Sequence, residues 1–150
     1  MNNRFLDADD EILAEINSGL KNSPEADKEP VDIGGLLGKI HRAVMEVSRE
    51  LGCGFLETVY ENALMIELRK QGLRARNHVP IKAYYKGFPV GEYYAHIIVE
   101  ETIIIELKMV DEIQKAHETQ LINILKATGY TAGLLVNFAN DKVELRRFVL

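Results

Sequence analysis

The apolar positions of this chain follow a helical period over two consecutive stretches. Between residues 32 and 51, and again between 56 and 70, apolar side chains recur every three or four positions, the spacing of a helix that buries one face. Asp32 stands where the N-cap of the first helix is expected, and Gly52 and Gly72 stand where the two helices should end. The pattern predicts two helices in succession.

The period then changes to short apolar runs that are separated by turn residues, which is typical of strands. A further helical stretch, capped by Asp111 and ended by Gly129, interrupts these runs. The strands are predicted at 79–85, 93–99, 102–109, 134–138 and 143–150, with turns at Lys86-Gly87 and Gly91.

The order of these elements, α-α-β-β-β-α-β-β, predicts a mixed α/β (α+β) fold. Short turns between the first three strands favour an antiparallel meander. The helix before the fourth strand implies a right-handed crossover and therefore a parallel pair. We expect a mixed sheet with helices packed on it.

Residues 1–30 differ in composition from the rest, and we expect two regions, 1–30 and 31–150. The first holds eight acidic and three basic residues. Its polar stretch from Asn22 to Pro30 is typical of a linker. This extension could fold back on its own body or dock on a neighbouring subunit; we predict the second, and hence a homo-oligomer. The short amphipathic helix predicted at 5–20 has an apolar stripe of Phe5, Ile12, Leu13, Ile16 and Leu20.

Charge and cysteine content narrow the classes of function. The net charge of −5 comes from the extension, because residues 31–150 hold 15 acids and 15 bases. A broad basic surface for nucleic acid is therefore not expected, and any such binding must be local or depend on metal ions. One cysteine, Cys53, and no apolar run of about 18 residues favour a cytoplasmic protein with no membrane span.

The predicted third strand ends in two charged side chains that are costly to bury. Glu106 and Lys108 are two apart, so they share a face of the strand. A buried carboxylate and ammonium must pair or bind something. They could form a salt bridge at the strand end, or the carboxylate could hold a divalent metal while the ammonium faces a phosphate. Glu57 stands in a first helical turn, where capping alone explains an acid. His117 and Gln120 share one helix face, and a solvated face alone explains them.

Several motifs follow one another along the chain in a fixed order. They are Gly54, Glu57 and Tyr60, then Ile105-Glu106-Leu107-Lys108, His117-Glu118-Thr119-Gln120, Leu125-Lys126-Ala127-Thr128-Gly129 and Gly133-Leu134-Leu135-Val136-Asn137-Phe138. On these motifs, the chain from about residue 34 to the end resembles the GxxExxY proteins, a bacterial and archaeal branch of the PD-(D/E)XK nuclease-like superfamily. That resemblance implies a nuclease-like fold, nucleic acid as substrate, a divalent ion such as Mg or Mn, and catalytic roles for Glu57, Glu106, Lys108 and Gln120.

The chain departs from the family at two positions. The superfamily expects an aspartate metal ligand in the second strand, and His96 stands there; the family also tends to have histidine where Ser48 follows Val47. By resemblance, His96 and Glu106 would be the metal ligands, and imidazole suits manganese, iron, nickel or zinc better than magnesium. Two hypotheses follow: a metal-dependent phosphodiesterase acting on nucleic acid, or a catalytically inactive nuclease-fold module for binding or homo-oligomeric assembly.

The turn between the second and third strands decides whether the metal site can exist. A three-residue turn at 100–102 would pair Val99 with Ile103 and place His96 opposite Glu106. A two-residue turn would pair Ala95 with Glu106 and send His96 to the other face. The proposed site needs the first arrangement.

Overall fold

The protein is described by a computed structural model over residues 30–150. The predicted extension, with its helix at 5–20, lies outside these residues. Within them the chain forms three helices and five strands. The helices are α1 (Ile33–Leu51), α2 (Glu57–Lys70) and α3 (Lys115–Thr128), and the strands are β1 (Ala75–Tyr85), β2 (Phe88–Val99), β3 (Ile103–Lys108), β4 (Ala132–Asn137) and β5 (Glu144–Val149).

The five strands form one mixed sheet in the order β1-β2-β3-β4-β5. β2 and β3 are antiparallel, β3 and β4 are parallel, and β4 and β5 are antiparallel. The parallel pair is joined through α3, as a helical crossover requires. The predicted fold class and element order are confirmed.

The centre of the sheet is buried on both faces. Ile103, Ile105 and Leu107 of β3 belong to a cluster that includes the buried sides of α1 and α2. The alternate residues of the same strands point to the opposite face. There α3 packs closely, because a Cβ placed on Gly133 of β4 would lie 3.1 Å from Cδ1 of Leu121. Glu106 and Lys108 alternate with the cluster residues, so they share the face that α3 covers.

The first two strands begin well before the positions predicted from the sequence. β1 and β2 are longer than expected, and Gly91 lies inside β2 rather than in a turn. They are joined by the two-residue turn Lys86-Gly87, in which both residues have positive φ (47° and 81°). This is the backbone of a type I′ turn, which lets paired strands run on directly from it.

The predicted cap of α3 at Asp111 is wrong. The helix begins at Lys115, four residues later, after Gln114. The backbone N–H of Gln114 donates to Nδ1 of His117 at 3.0 Å, so a side chain inside the helix satisfies this donor. The expected end of the helix at Gly129, which has a positive φ of 77°, is confirmed.

The described residues fall in two compact units. The larger unit, called the body below, contains Asp32–Ile81 and Tyr94–Leu150; the other contains Lys82–Tyr93, the tip of the β1–β2 hairpin. No helix within residues 30–150 is long and apolar enough to cross a membrane.

The close approach of α3 to β4 gives a stability prediction. Gly133→Val should lower the free energy of unfolding by about 1–3 kcal/mol, because the added methyl groups would overlap Leu121. Urea unfolding followed by circular dichroism measures this loss. The matched control is Gly91→Val, at a strand glycine whose Cβ would meet no atom within 4 Å. Equal stability of the two variants would contradict this packing.

Candidate functional site

The register of β2 against β3 places His96 beside Glu106. Val99 pairs with Ile103 and Ile97 with Ile105, so the next position in register sets His96 opposite Glu106. The turn of residues 100–102 closes with the N–H of Thr102 donating to the carbonyl of Val99 at 3.0 Å. Of the two turns that the sequence left open, the structure has the three-residue turn.

Beyond Ile97 and Ile105, the backbone N–H groups of the two strands donate to side chains and not to the backbone of the facing strand. The backbone N–H of His96 donates to Oε1 of Glu106 at 3.3 Å. The backbone N–H of Leu107 donates to Nδ1 of His96 at 2.7 Å. Both N–H groups are therefore satisfied although the strands have stopped exchanging backbone bonds here. Where β2 and β3 stop pairing, the side chains of His96 and Glu106 connect the two strands.

The bond from Leu107 fixes the tautomer of His96. A ring nitrogen that accepts a hydrogen bond carries no proton, so the imidazole is neutral and its proton is on Nε2. Nε2 lies 3.3 Å from Oε1 of Glu57, to which it can donate. On the other side of the ring, Oε2 of Glu106 lies 3.4 Å from Nδ1. His96 thus stands between two carboxylates.

Glu106 is a buried carboxylate in this site. Its residue is 6% exposed. Burial raises the pKa of the Glu106 carboxyl above its ordinary value, because the charged form loses hydration. A positive charge on the His96 ring would lower this pKa, though by less than burial raises it. The backbone N–H of His96 and the ammonium of Lys108 also lower it, and the Glu57 carboxylate raises it. Glu106 therefore holds its proton more tightly in this site than a glutamate does in water.

Lys108 and Gln120 complete the site. Nζ of Lys108 donates to Oε1 of Gln120 at 3.1 Å, and Gln120 is carried by α3. Lys108 follows Glu106 on the same face of β3. All five residues predicted from the sequence, namely Glu57, His96, Glu106, Lys108 and Gln120, therefore lie at one end of β3. Their catalytic and metal-binding roles stay predictions.

A tight turn before α2 positions Glu57. Gly54 has a φ of 103°, which favours glycine. Tyr60 is fully buried and stacks on Phe138, with ring centroids 4.6 Å apart. Its hydroxyl donates to the carbonyl of Gly52 at 2.6 Å and accepts from the N–H of Phe55 at 3.3 Å. These contacts hold the turn and set Glu57 at the first position of α2.

A second glutamate–histidine pair lies one helical turn further along α2, and the sequence analysis missed it. Glu61 is 3% exposed, and its Oε1 lies 2.9 Å from Nε2 of His78 and 3.2 Å from Nδ2 of Asn77. His78 has a positive φ of 51°. The spacing of four residues from Glu57 to Glu61 puts both carboxylates on one face of α2 and could have signalled this pair.

The arrangement does not fit a divalent metal. Within residues 30–150, no group of three or more His, Cys, Asp and Glu side chains is placed to hold one. The Nδ1 lone pair of His96 is taken by the N–H of Leu107, and Nε2 carries a proton. A metal ligand needs a free nitrogen lone pair. The imidazole therefore separates Glu57 from Glu106 instead of joining them in a coordination site.

The comparison with protein families agrees with the fold. A family model described as PD-(D/E)XK nuclease superfamily matches residues 35–148. Among curated proteins, none matches the chain. The crystal structure of SSO0001 resembles the chain with 16% sequence identity and a TM-score of 0.44, over 92% of this chain and 74% of that one.

The raised pKa of Glu106 gives a pH prediction. The native state binds this proton more tightly than the unfolded chain does. Ionised Glu106 therefore costs stability above its native pKa, and the cost fades as the pH falls towards 4.5, the ordinary value. Glu106→Gln should raise the free energy of unfolding at pH 8, and the gain should shrink towards pH 4.5. Urea unfolding of both proteins across this range measures it, with Glu112→Gln, at an exposed residue, as control. A gain independent of pH would contradict burial as the cause.

Proposed function

Because the chain belongs to the PD-(D/E)XK nuclease superfamily, we propose that it is a nuclease-fold module that no longer performs magnesium-dependent hydrolysis and acts by binding or assembly. The observation that carries this proposal is the 2.7 Å hydrogen bond from the N–H of Leu107 to Nδ1 of His96. That bond commits the imidazole to the protein at the position where the family resemblance expects a metal-binding aspartate.

The exchange of aspartate for histidine removes a charge and a hard oxygen donor. Magnesium is held by oxygen ligands in near-octahedral geometry. Here Nε2 of a neutral imidazole lies 3.3 Å from Oε1 of Glu57, and Nδ1 accepts a hydrogen bond from the backbone. The burial of Glu106, which favours its protonated form, works in the same direction. The site supports a hydrogen-bonded cluster better than a cation.

Charge supports a binding role that is confined to a small area. Residues 31–150 hold equal numbers of acids and bases, so an extended nucleic-acid track is not built into the body. The proposal includes a cytosolic location, because a single cysteine suits a reducing compartment. The exposed thiol of Cys53 donates a hydrogen bond to Asp141, and this bond raises the pKa of the thiol. A raised pKa lowers the fraction of thiolate, which is the nucleophilic form, so the proposal gives Cys53 no catalytic role.

A second candidate function is metal-dependent cleavage of nucleic acid. It is favoured by the convergence of Glu57, Glu106, Lys108 and Gln120 at one end of β3, with Lys108 bonded to Gln120. For this candidate, an ion that tolerates imidazole, such as manganese, should bind more tightly than magnesium.

Replacement of His96 separates the two candidates. We expect the unchanged protein to give no heat of binding with magnesium or manganese and no cleavage of mixed DNA and RNA. His96→Asp should bind magnesium and should create metal-dependent cleavage, because it restores an oxygen ligand and a charge. His96→Asn is the matched control: it has the shape of aspartate without its charge and should do neither. Calorimetry and gel assays measure both effects.

The contradicting result is equally specific. If the unchanged protein cleaves nucleic acid with manganese, and Glu106→Gln abolishes that cleavage, the site is catalytic as it stands. The second candidate function would then replace the first.

A further inference from the structure

The tip of the β1–β2 hairpin exposes apolar side chains on one face. Because the turn Lys86-Gly87 has two residues, Tyr85 and Phe88 lie directly opposite each other across it. Side chains alternate along each strand, so Val90 shares the face of Phe88. Tyr85, Phe88 and Val90 are 62%, 50% and 63% exposed. We call this set the hairpin face.

The neighbouring side chains give this face a cationic end. Nζ of Lys86 lies 5.4 Å from the ring centroid of Tyr85, which places the ammonium over the aromatic surface. The opposite side of the tip carries Lys82 and Tyr84. The hairpin face is therefore an apolar strip with the ammonium of Lys86 beside its turn end. By the same alternation, the acid Glu92 follows Val90 on this face, at the end away from the turn. A surface of this kind marks an interaction site more often than a solvated edge.

One segment of this chain matches that surface in both polarity and charge. Residues 5–20 carry an apolar stripe at helical spacing, and acids flank it. A helix of 16 residues is marginal in water and persists by packing its apolar side against something. The stripe is Phe5, Ile12, Leu13, Ile16 and Leu20, and the flanking acids are Asp7, Asp9, Asp10, Glu11 and Glu15.

The length of chain before the body allows the match. Residues 22–30 can span roughly 30 Å when extended, so the segment is not restricted to the immediate surroundings of Pro30. An apolar stripe with acidic edges is complementary to an apolar strip with a lysine beside it. Aromatic and aliphatic side chains that are half exposed on the hairpin face would lose water on contact, which provides the driving force.

We propose that residues 5–20 dock on the hairpin face of Tyr85, Phe88 and Val90, with their acids beside Lys86. This inference goes beyond the proposed function and holds whether or not the strand-end site hydrolyses anything. It also identifies the docking surface that the predicted oligomer requires, if the segment comes from a second copy.

Cross-linking in the full-length protein tests the contact directly. A carbodiimide joins a lysine to a carboxylate only when the two form a close pair. We expect Lys86 to cross-link to acids between Asp7 and Glu15, detected by peptide mass spectrometry. The link should be lost in Ile16→Asp, which places a charge in the apolar stripe. The mass of the linked species tells whether the segment comes from the same copy or a neighbouring one, and both support the docking.

A pair of adjacent tyrosines provides the matched control. Tyr85→Ser should weaken the protection of residues 5–20 from hydrogen–deuterium exchange by several-fold. Tyr84→Ser, at a similarly exposed position on the opposite side of the hairpin, should leave it unchanged. Both positions are exposed, so circular dichroism should show an unaltered fold.

Two results would overturn the proposal. The first is exchange of residues 5–20 at the same rate in the unchanged protein and in Tyr85→Ser, together with no cross-link to Lys86. The second is binding of a fluorescent single-stranded oligonucleotide that Tyr85→Ser abolishes while protection of residues 5–20 persists. In that case the occupant of the hairpin face is nucleic acid, stacked on the aromatic rings.

Discussion

Where β2 and β3 stop pairing, a backbone N–H must still find an acceptor, and this requirement shapes the candidate site. Leu107 lies in the buried centre of the sheet. A buried N–H without a partner would lower the free energy of unfolding by about 1–3 kcal/mol. Nδ1 of His96 meets the need at 2.7 Å. The same contact sets the tautomer of the ring, sends its proton towards Glu57 and leaves Glu106 beside a neutral neighbour. The hydrogen bond that Leu107 requires in the sheet thereby determines which nitrogen of His96 carries a proton in the site.

The site is held from two directions. Tyr60 fixes the turn before α2, so that Glu57 emerges at the first helical position, where the helix dipole favours a carboxylate. From the other side, the β2–β3 register sets His96 opposite Glu106. Gln120 reaches Lys108 from α3, which Leu121 packs against Gly133. The fold of the PD-(D/E)XK superfamily therefore surrounds this cluster, and we propose that the donor set of the cluster suits protons better than metal ions.

Much of this could be predicted from the sequence, because periodicity and turn chemistry are local signals. The mixed fold follows from the order of the elements, and the face shared by Glu106 and Lys108 follows from alternation. The β2–β3 register depends on the length of the turn between them, which the sequence left open between two and three residues. The hydrogen bond from Leu107 to His96 could not be predicted, because the spacing of apolar residues does not show where two strands stop pairing. The start of α3 was missed because His117 accepts from Gln114, a capping arrangement that a search for acidic caps overlooks. The pairing of Glu61 with His78 depends on β1 beginning four residues before the expected position.

The central claim is that His96 is a hydrogen-bond acceptor for the sheet and not a metal ligand. Long-range nitrogen–proton NMR on protein labelled with ¹⁵N-histidine reports which ring nitrogen carries the proton. We expect a proton on Nε2 of His96 and none on Nδ1, and no change in the nitrogen shifts of the ring when magnesium is added. A proton on Nδ1, or a shift of Nε2 on addition of the metal, would contradict it.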